Sequence, residues 1–212
     1  MPLQNRVDPF GEIHAVADRG TMFGNRGGCM HTPEQKLRGR PWVSRRWITC
    51  VLEFRGRHRE VMSPNRYTEL FFLDEATAFA AGHRPCMECR RSDAKRFNQA
   101  WSAAHLPIGQ RLRTVDQIDE IAYRERIDRT TKRQITSRAQ LSTLSDGVMV
   151  TLDRAPGSPL LLWQRQLHAW SFSGYSEAEP VPKDQEVTLL TPPSFAASFA
   201  AGYTTIVHPS AE

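Results

Sequence analysis

The 212-residue chain contains no apolar run approaching the roughly 20 residues that a membrane-spanning helix needs. A helical membrane anchor is therefore not expected in it. Its first residues, Met1-Pro2-Leu3-Gln4-Asn5-Arg6-Val7-Asp8, lack the apolar stretch of a secretory signal. The expectation is a cytoplasmic protein with reduced thiols. Cysteine is scarce, with four in all. That is too few for a disulfide-dense scaffold, but it is the number that one all-cysteine zinc site consumes. Nucleotide fingerprints are also missing. The glycines of Arg19-Gly20-Thr21-Met22-Phe23-Gly24-Asn25-Arg26-Gly27-Gly28 match neither a P-loop nor a dinucleotide motif, and the stretch reads as a loop.

The charge is unevenly spread. Residues 1–105 carry 17 Lys and Arg against 11 Asp and Glu, whereas residues 106–212 carry 11 against 12. Within residues 36–66 there are nine basic residues, eight of them arginine, and two acidic ones. Arginine presents a planar fork of donors that suits phosphate better than lysine does.

The apolar pattern sets out an order of elements. Residues 1–41 read as mostly irregular. Trp47 to Phe54 is rich in β-formers, Glu60 to Met62 reads as a short return strand, and Tyr67 to Leu73 reads as a third strand. Asp74 to Gly82 has an Asp cap and a Gly stop around a short helix. A longer helix follows, with Ser92 as its expected cap and Phe97, Ala100, Trp101 and Ala104 at helical spacing. Thr114-Val115-Asp116-Gln117 opens the second half as a capping box. Residues 124–140 leave helix and linker open. Short strands are expected at Val148 to Leu152, Leu160 to Trp163, Leu167 to Phe172 and Val187 to Leu190, then a closing Ala-rich helix. Phe79-Ala80-Ala81-Gly82 recurs as Phe199-Ala200-Ala201-Gly202.

The chemistry is concentrated in Gly82-His83-Arg84-Pro85-Cys86-Met87-Glu88-Cys89-Arg90-Arg91. Two thiolates three positions apart hold one tetrahedral ion with little strain, which makes Cys86 and Cys89 candidate zinc ligands. Redox pairs share the spacing but follow a strand, whereas a helix precedes this pair.

Residues 47–93 resemble the Ada-type zinc domain of bacterial DNA-alkylation sensors. The resemblance rests on Phe71-Phe72-Leu73-Asp74-Glu75-Ala76 and on Ala80-Ala81-Gly82-His83-Arg84-Pro85-Cys86 with Cys89. It implies a zinc fold held by cysteines, DNA as partner, and a role in DNA repair or its regulation. That family holds zinc with two cysteine pairs and accepts a methyl group from a DNA phosphotriester. Here Cys86 and Cys89 match the second pair. Cys50 stands alone for the first, because position 54 is Phe. The resemblance thus implies Cys50 as third ligand, with Cys29 or His31 as alternative fourth donors and His58 and His83 less suited.

The expected fold is therefore α+β. A zinc-stapled, Ada-like, arginine-rich module over residues 1–105 precedes a helix and a curled antiparallel sheet with a closing helix over 106–212. The expected metal set is Cys86, Cys89, Cys50 and Cys29, holding a structural Zn2+. Nucleic acid, DNA before RNA, is the expected partner, met by Arg38, Arg40, Trp42, Arg45, Arg46, Arg55, Arg57, Arg90 and Arg91; Arg59, Arg66 and Trp47 belong to the same stretch. Two alternatives stand beside this. Pro85-Cys86-x-x-Cys89 matches half of a nucleobase-deaminase signature, with His31-Thr32-Pro33-Glu34 at the wrong spacing for the other half. A non-catalytic interaction module is the second alternative, with Trp163, Trp170, Phe172 and Tyr175 either in a pocket or in a core.

Overall fold

The computed structural model describes every residue except Arg40, His58, Arg59 and 182–184. The chain runs β1 (Arg6–Val7), β2 (Ile13–His14), β3 (Met22–Asn25), β4 (Ile48–Val51), β5 (Leu70–Phe72), α1 (Glu75–Ala80), β6 (Arg84–Pro85), α2 (Arg91–His105) and α3 (Asp116–Arg126). It continues through β7 (Ser137–Gln140), β8 (Met149–Leu152), β9 (Ala155–Trp163), β10 (Gln166–Ser171), β11 (Gly174–Pro180), β12 (Glu186–Leu189) and α4 (Pro193–Ala200). The expected α+β class holds. A first sheet has the order β2-β1-β5-β3-β4-β6, and a second the order β11-β10-β9-β8-β12-β7. The second is antiparallel at every pairing and open, and α4 follows its strand β12 as the closing helix.

Residues 1–41 are mostly irregular, as expected, but they also supply the short strands β1 and β2 and the central strand β3, which pairs with both β4 and β5. Two local expectations need correction. The return strand at Glu60 to Met62 is a turn instead. Met62 has a φ of 55°, and its buried N–H donates to Glu69 Oε2 at 2.8 Å. Ser92 does not cap α2. The Cys86–Cys89 turn runs straight into the helix, with Arg90 N donating to Cys86 O at 3.2 Å and Arg90 standing at the cap position.

Helix α1 has six residues, and all are buried, so packing rather than propensity holds it. Asp74 caps it, its Oδ1 accepting from Thr77 N and Thr77 Oγ1 at 2.8 Å each. Gly82, at φ 80°, ends it, with Gly82 N donating to Phe79 O and His83 N to Ala78 O. α4 stops in the same way: Gly202 sits at φ 99°, Gly202 N donates to Phe199 O and Tyr203 N to Ser198 O. The repeated Phe-Ala-Ala-Gly is thus one stop geometry used twice, and the two phenylalanines meet edge to face at 5.0 Å.

α1 touches β5 of the first sheet and β8 of the second. One buried cluster joins Phe79, Phe97 and Trp101 to Ile118, Val150, Leu162, Phe195 and Phe199. The boundary expected at 105/106 therefore falls where α2 ends, while the core crosses it. Tyr175 is buried, with its hydroxyl on Asp74, and Trp170 donates to Thr77 Oγ1, so these aromatics serve the core.

Candidate metal centre

Strands β4 and β6 run parallel, with Ile48 beside Arg84 and Thr49 beside Pro85. Continuing that register sets Cys50 beside Cys86, and Cys86 N donates to Thr49 O at 2.9 Å. The turn after Cys86 returns Cys89 to the same point. The three sulfurs of Cys50, Cys86 and Cys89 lie within 4.8 Å of one another. Glu88 N donates to Cys86 Sγ at 3.4 Å, as expected of a thiolate-bearing turn.

The three thiols are electrostatically coupled. Cys86 is held well below the usual thiol range by hydrogen bonds from Cys50, then from Cys89. Cys50 is pushed far above it, first by its hydrogen bond to Cys86, then by Cys89 and by burial. Cys89 is raised: Cys50 lowers it, while Cys86 and burial outweigh that. One negative charge is thus shared among three sulfurs that cannot all ionise unaided. A divalent cation held by the three sulfurs would supply the missing compensation and displace the remaining protons. Thiolate sulfur is a zinc donor, so the donor set fits the metal that the sequence suggests.

Cys29 does not join this group, and strand direction explains why. β3 runs antiparallel to β4, with Phe23 opposite Cys50 and Asn25 opposite Ile48. Residues beyond Asn25 therefore leave at the end of β4 opposite to Cys50. There the Cys29 thiol donates to His31 O at 3.3 Å. His31 is buried, with Nδ1 on Thr68 Oγ1 at 2.7 Å and Nε2 on Ser63 O at 3.1 Å. His83 is buried elsewhere, against Trp47 and Phe72, and His58 lies outside the described residues. Among the described residues the group consists of three thiols.

The turn is anchored from behind by Arg90, an assignment that departs from the expected DNA contact. Its side chain is 0 % exposed. It donates to Glu75 Oε1 at 2.5 Å, to Thr49 Oγ1 at 2.6 Å and to Asp93 Oδ2 at 2.9 Å. Glu75 in turn accepts from Tyr203 OH at 2.7 Å and Ile206 N at 2.8 Å. The residue after the last metal candidate is therefore tied to α1, β4 and the C-terminal segment together. Trp42 is likewise withdrawn, buried against Trp47, Tyr123 and Ile127. Trp47 is buried too, so neither ring stands at the outer surface where a base of duplex DNA could stack on it.

The other basic candidates lie at the surface. Arg45 pairs with Glu120, Arg46 with Asp116 at 2.9 Å, and Arg57 with Glu88 at 2.8 Å. Arg55 lies over the Phe54 ring, and Arg38, Arg66 and Arg91 are exposed. Arg40 and Arg59 lie outside the described residues. Sequence reasoning missed Arg26 and Arg126, both buried beside Trp47. Their only signal was an arginine amid glycines and another ending an amphipathic helix.

No helix among the described residues is long and apolar enough to cross a membrane. No protein-family model matches the chain, and no curated protein or solved structure matches it significantly.

Proposed function

We propose that the protein binds DNA in repair or its regulation and that a zinc ion at Cys50, Cys86 and Cys89 serves structure rather than catalysis. The carrying observation is the three-sulfur group with exposed arginines beside it: Arg91 two residues after Cys89, and Arg57 bonded to Glu88 inside the turn. Zinc here ties β4 to the turn that starts α2, a link that short strands of two and four residues need. The resemblance of residues 47–93 to Ada-type domains supports DNA over RNA and supplies the link to repair.

The contacting set reduces to Arg38, Arg45, Arg46, Arg55, Arg57 and Arg91. Surface ion pairs contribute little, so phosphate competes readily with Glu120, Asp116 and Glu88 for their arginines. The deaminase reading gains no support. His31 is committed to Thr68 and Ser63, Glu34 is exposed, and no carboxylate or imidazole among the described residues joins the sulfurs.

Fluorescence anisotropy on duplex DNA across a salt series tests this. Affinity falls steeply with salt, and replacing Arg55 and Arg91 together by Ala flattens the log–log slope by about two. Binding that is absent at low salt, or a slope that the double variant leaves unchanged, removes the DNA assignment.

A further inference from the structure

A cavity of about 410 Å³ opens at the other end of β4, among the N-terminal segment, the segment before Trp42 and the end of α3. That volume falls within the range of small-ligand sites. Its described lining carries Arg26, Arg38, Arg126 and Lys132 against a single acid, Glu12. Arg26 and Arg126 are each 2 % exposed, and neither has a carboxylate within ion-pair distance among the described residues. The nearby Asp119 is already held by Arg84 at 2.7 Å, and Asp8 by His14 at 2.8 Å. Burial lowers Arg26 to about 10 and Arg126 to about 9, outweighing the opposing pull of Asp8 and Glu12 on the first and of Asp119 on the second.

Buried cations are normally paired, because an uncompensated one is costly. Each guanidinium carries five N–H donors. Arg26 commits three, to His83 Nε2, Pro41 O and Gly11 O. Arg126 commits two, to Gly82 O and Arg45 O, and its buried Nε has no partner. Five donors are left, more than the roughly four lone-pair sites of a carboxylate can take up and closer to the capacity of phosphate. Gly82 permits the approach: a Cβ there would lie 2.3 Å from Arg126 Cδ.

The rest of the lining narrows the ligand further. Gln134 spends its amide N–H groups on the carbonyls of Pro9, Ala80 and Leu190, and its buried Oε1 is an unused acceptor. Trp42, Met30 and Ile127 add an apolar wall. A ligand that satisfies all three features has a phosphate, a flat apolar body and an N–H donor.

We propose that this cavity binds a nucleoside monophosphate, with the phosphate on Arg26 and Arg126 and the base edge toward Gln134. Of the exposed arginines assigned above to duplex DNA, the described lining shares Arg38 alone. The nucleotide is supplied either free or as one residue of a single strand, and the same chemistry recognises both.

Calorimetry on the full metal-loaded chain tests it with three probes: deoxyadenosine monophosphate, deoxyadenosine, and a short single-stranded oligonucleotide. Saturable binding of the monophosphate or the oligonucleotide is expected, the responding arm identifying the source, with the unphosphorylated nucleoside at least tenfold weaker. Arg126→Met weakens that binding at least tenfold while leaving the salt slope on duplex DNA unchanged. Because Arg126 also braces two carbonyls, Arg38→Ala with Lys132→Ala gives a second variant at exposed positions, expected to weaken binding without lowering the melting temperature. No binding in either phosphate arm, or equal binding of the nucleoside, overturns the proposal. A failure of duplex binding with monophosphate binding intact overturns only the surface assignment.

Discussion

Replacing Glu75 by Ala strands the guanidinium of Arg90 in the interior. The pair is wholly buried on both sides, and Glu75 also holds Tyr203 OH and Ile206 N. Removing one partner of such a pair costs about 3–5 kcal/mol. Asp93 stays on Arg90 at 2.9 Å and offsets part of the loss, so the lower half of that range is expected. A chain of this length loses roughly 2–4 °C of melting temperature per kcal/mol, so Glu75→Ala should melt about 6–15 °C below the parent. Urea unfolding of the metal-loaded protein measures the same quantity isothermally. Glu75→Ala combined with Arg90→Leu removes both charges, and its cost should fall below the sum of the single costs by about 1–3 kcal/mol. A single variant costing less than about 1 kcal/mol, or strict additivity in the pair, refutes the claim that Arg90 is an internal anchor.

Two further outcomes follow from the buried groups. His83 is held well below its usual range by burial first and then by Arg26 and Arg126, so it is neutral when folded and protonates on unfolding. Its depressed value contributes stability that is present above about pH 6.5 and is lost as pH falls, at up to about 1.4 kcal/mol per pH unit. His83→Gln, which keeps an acceptor for Arg26, should show a shallower decline in urea midpoint between pH 6.5 and 5; a parallel decline contradicts the reasoning. Cys50 is 6 % exposed within β4, between β3 and β6, so a phosphotriester cannot reach it. Incubation with methylphosphotriester DNA should leave the intact mass unchanged, and a gain of one methyl group on Cys50 would show that the thiol is open.

The sequence displayed parts of this arrangement and concealed others for physical reasons. Cys86 and Cys89 are legible because their relation is local, and Asp74 and Gly82 because caps and stops are local too. Cys50 is legible only through the resemblance to Ada-type domains, because its relation to the Cys86 turn is not local in sequence. The exclusion of Cys29 is not, because it depends on β3 running antiparallel to β4, and a four-residue strand among glycines has little periodicity to reveal it. Arg90 and Arg91 look like one solvated basic pair. The fold divides them, since Arg90 meets a Glu75 that is itself enclosed by a C-terminal segment more than a hundred residues away in sequence. The same applies to Trp42 and Trp47, whose burial depends on Tyr123 and Ile127 at the end of α3. Short-range signals therefore located the sulfur site, while long-range packing decided which cations reach the surface.

The central claim is that Cys50, Cys86 and Cys89 form one metal centre to which Cys29 does not contribute. Elemental analysis of the purified full chain and of its four single Cys→Ser variants tests it most directly. One zinc per chain is expected in the parent and in Cys29→Ser, with the metal lost from Cys50→Ser, Cys86→Ser and Cys89→Ser. A parent without metal, or zinc that departs with Cys29 and stays when Cys50 is replaced, contradicts it.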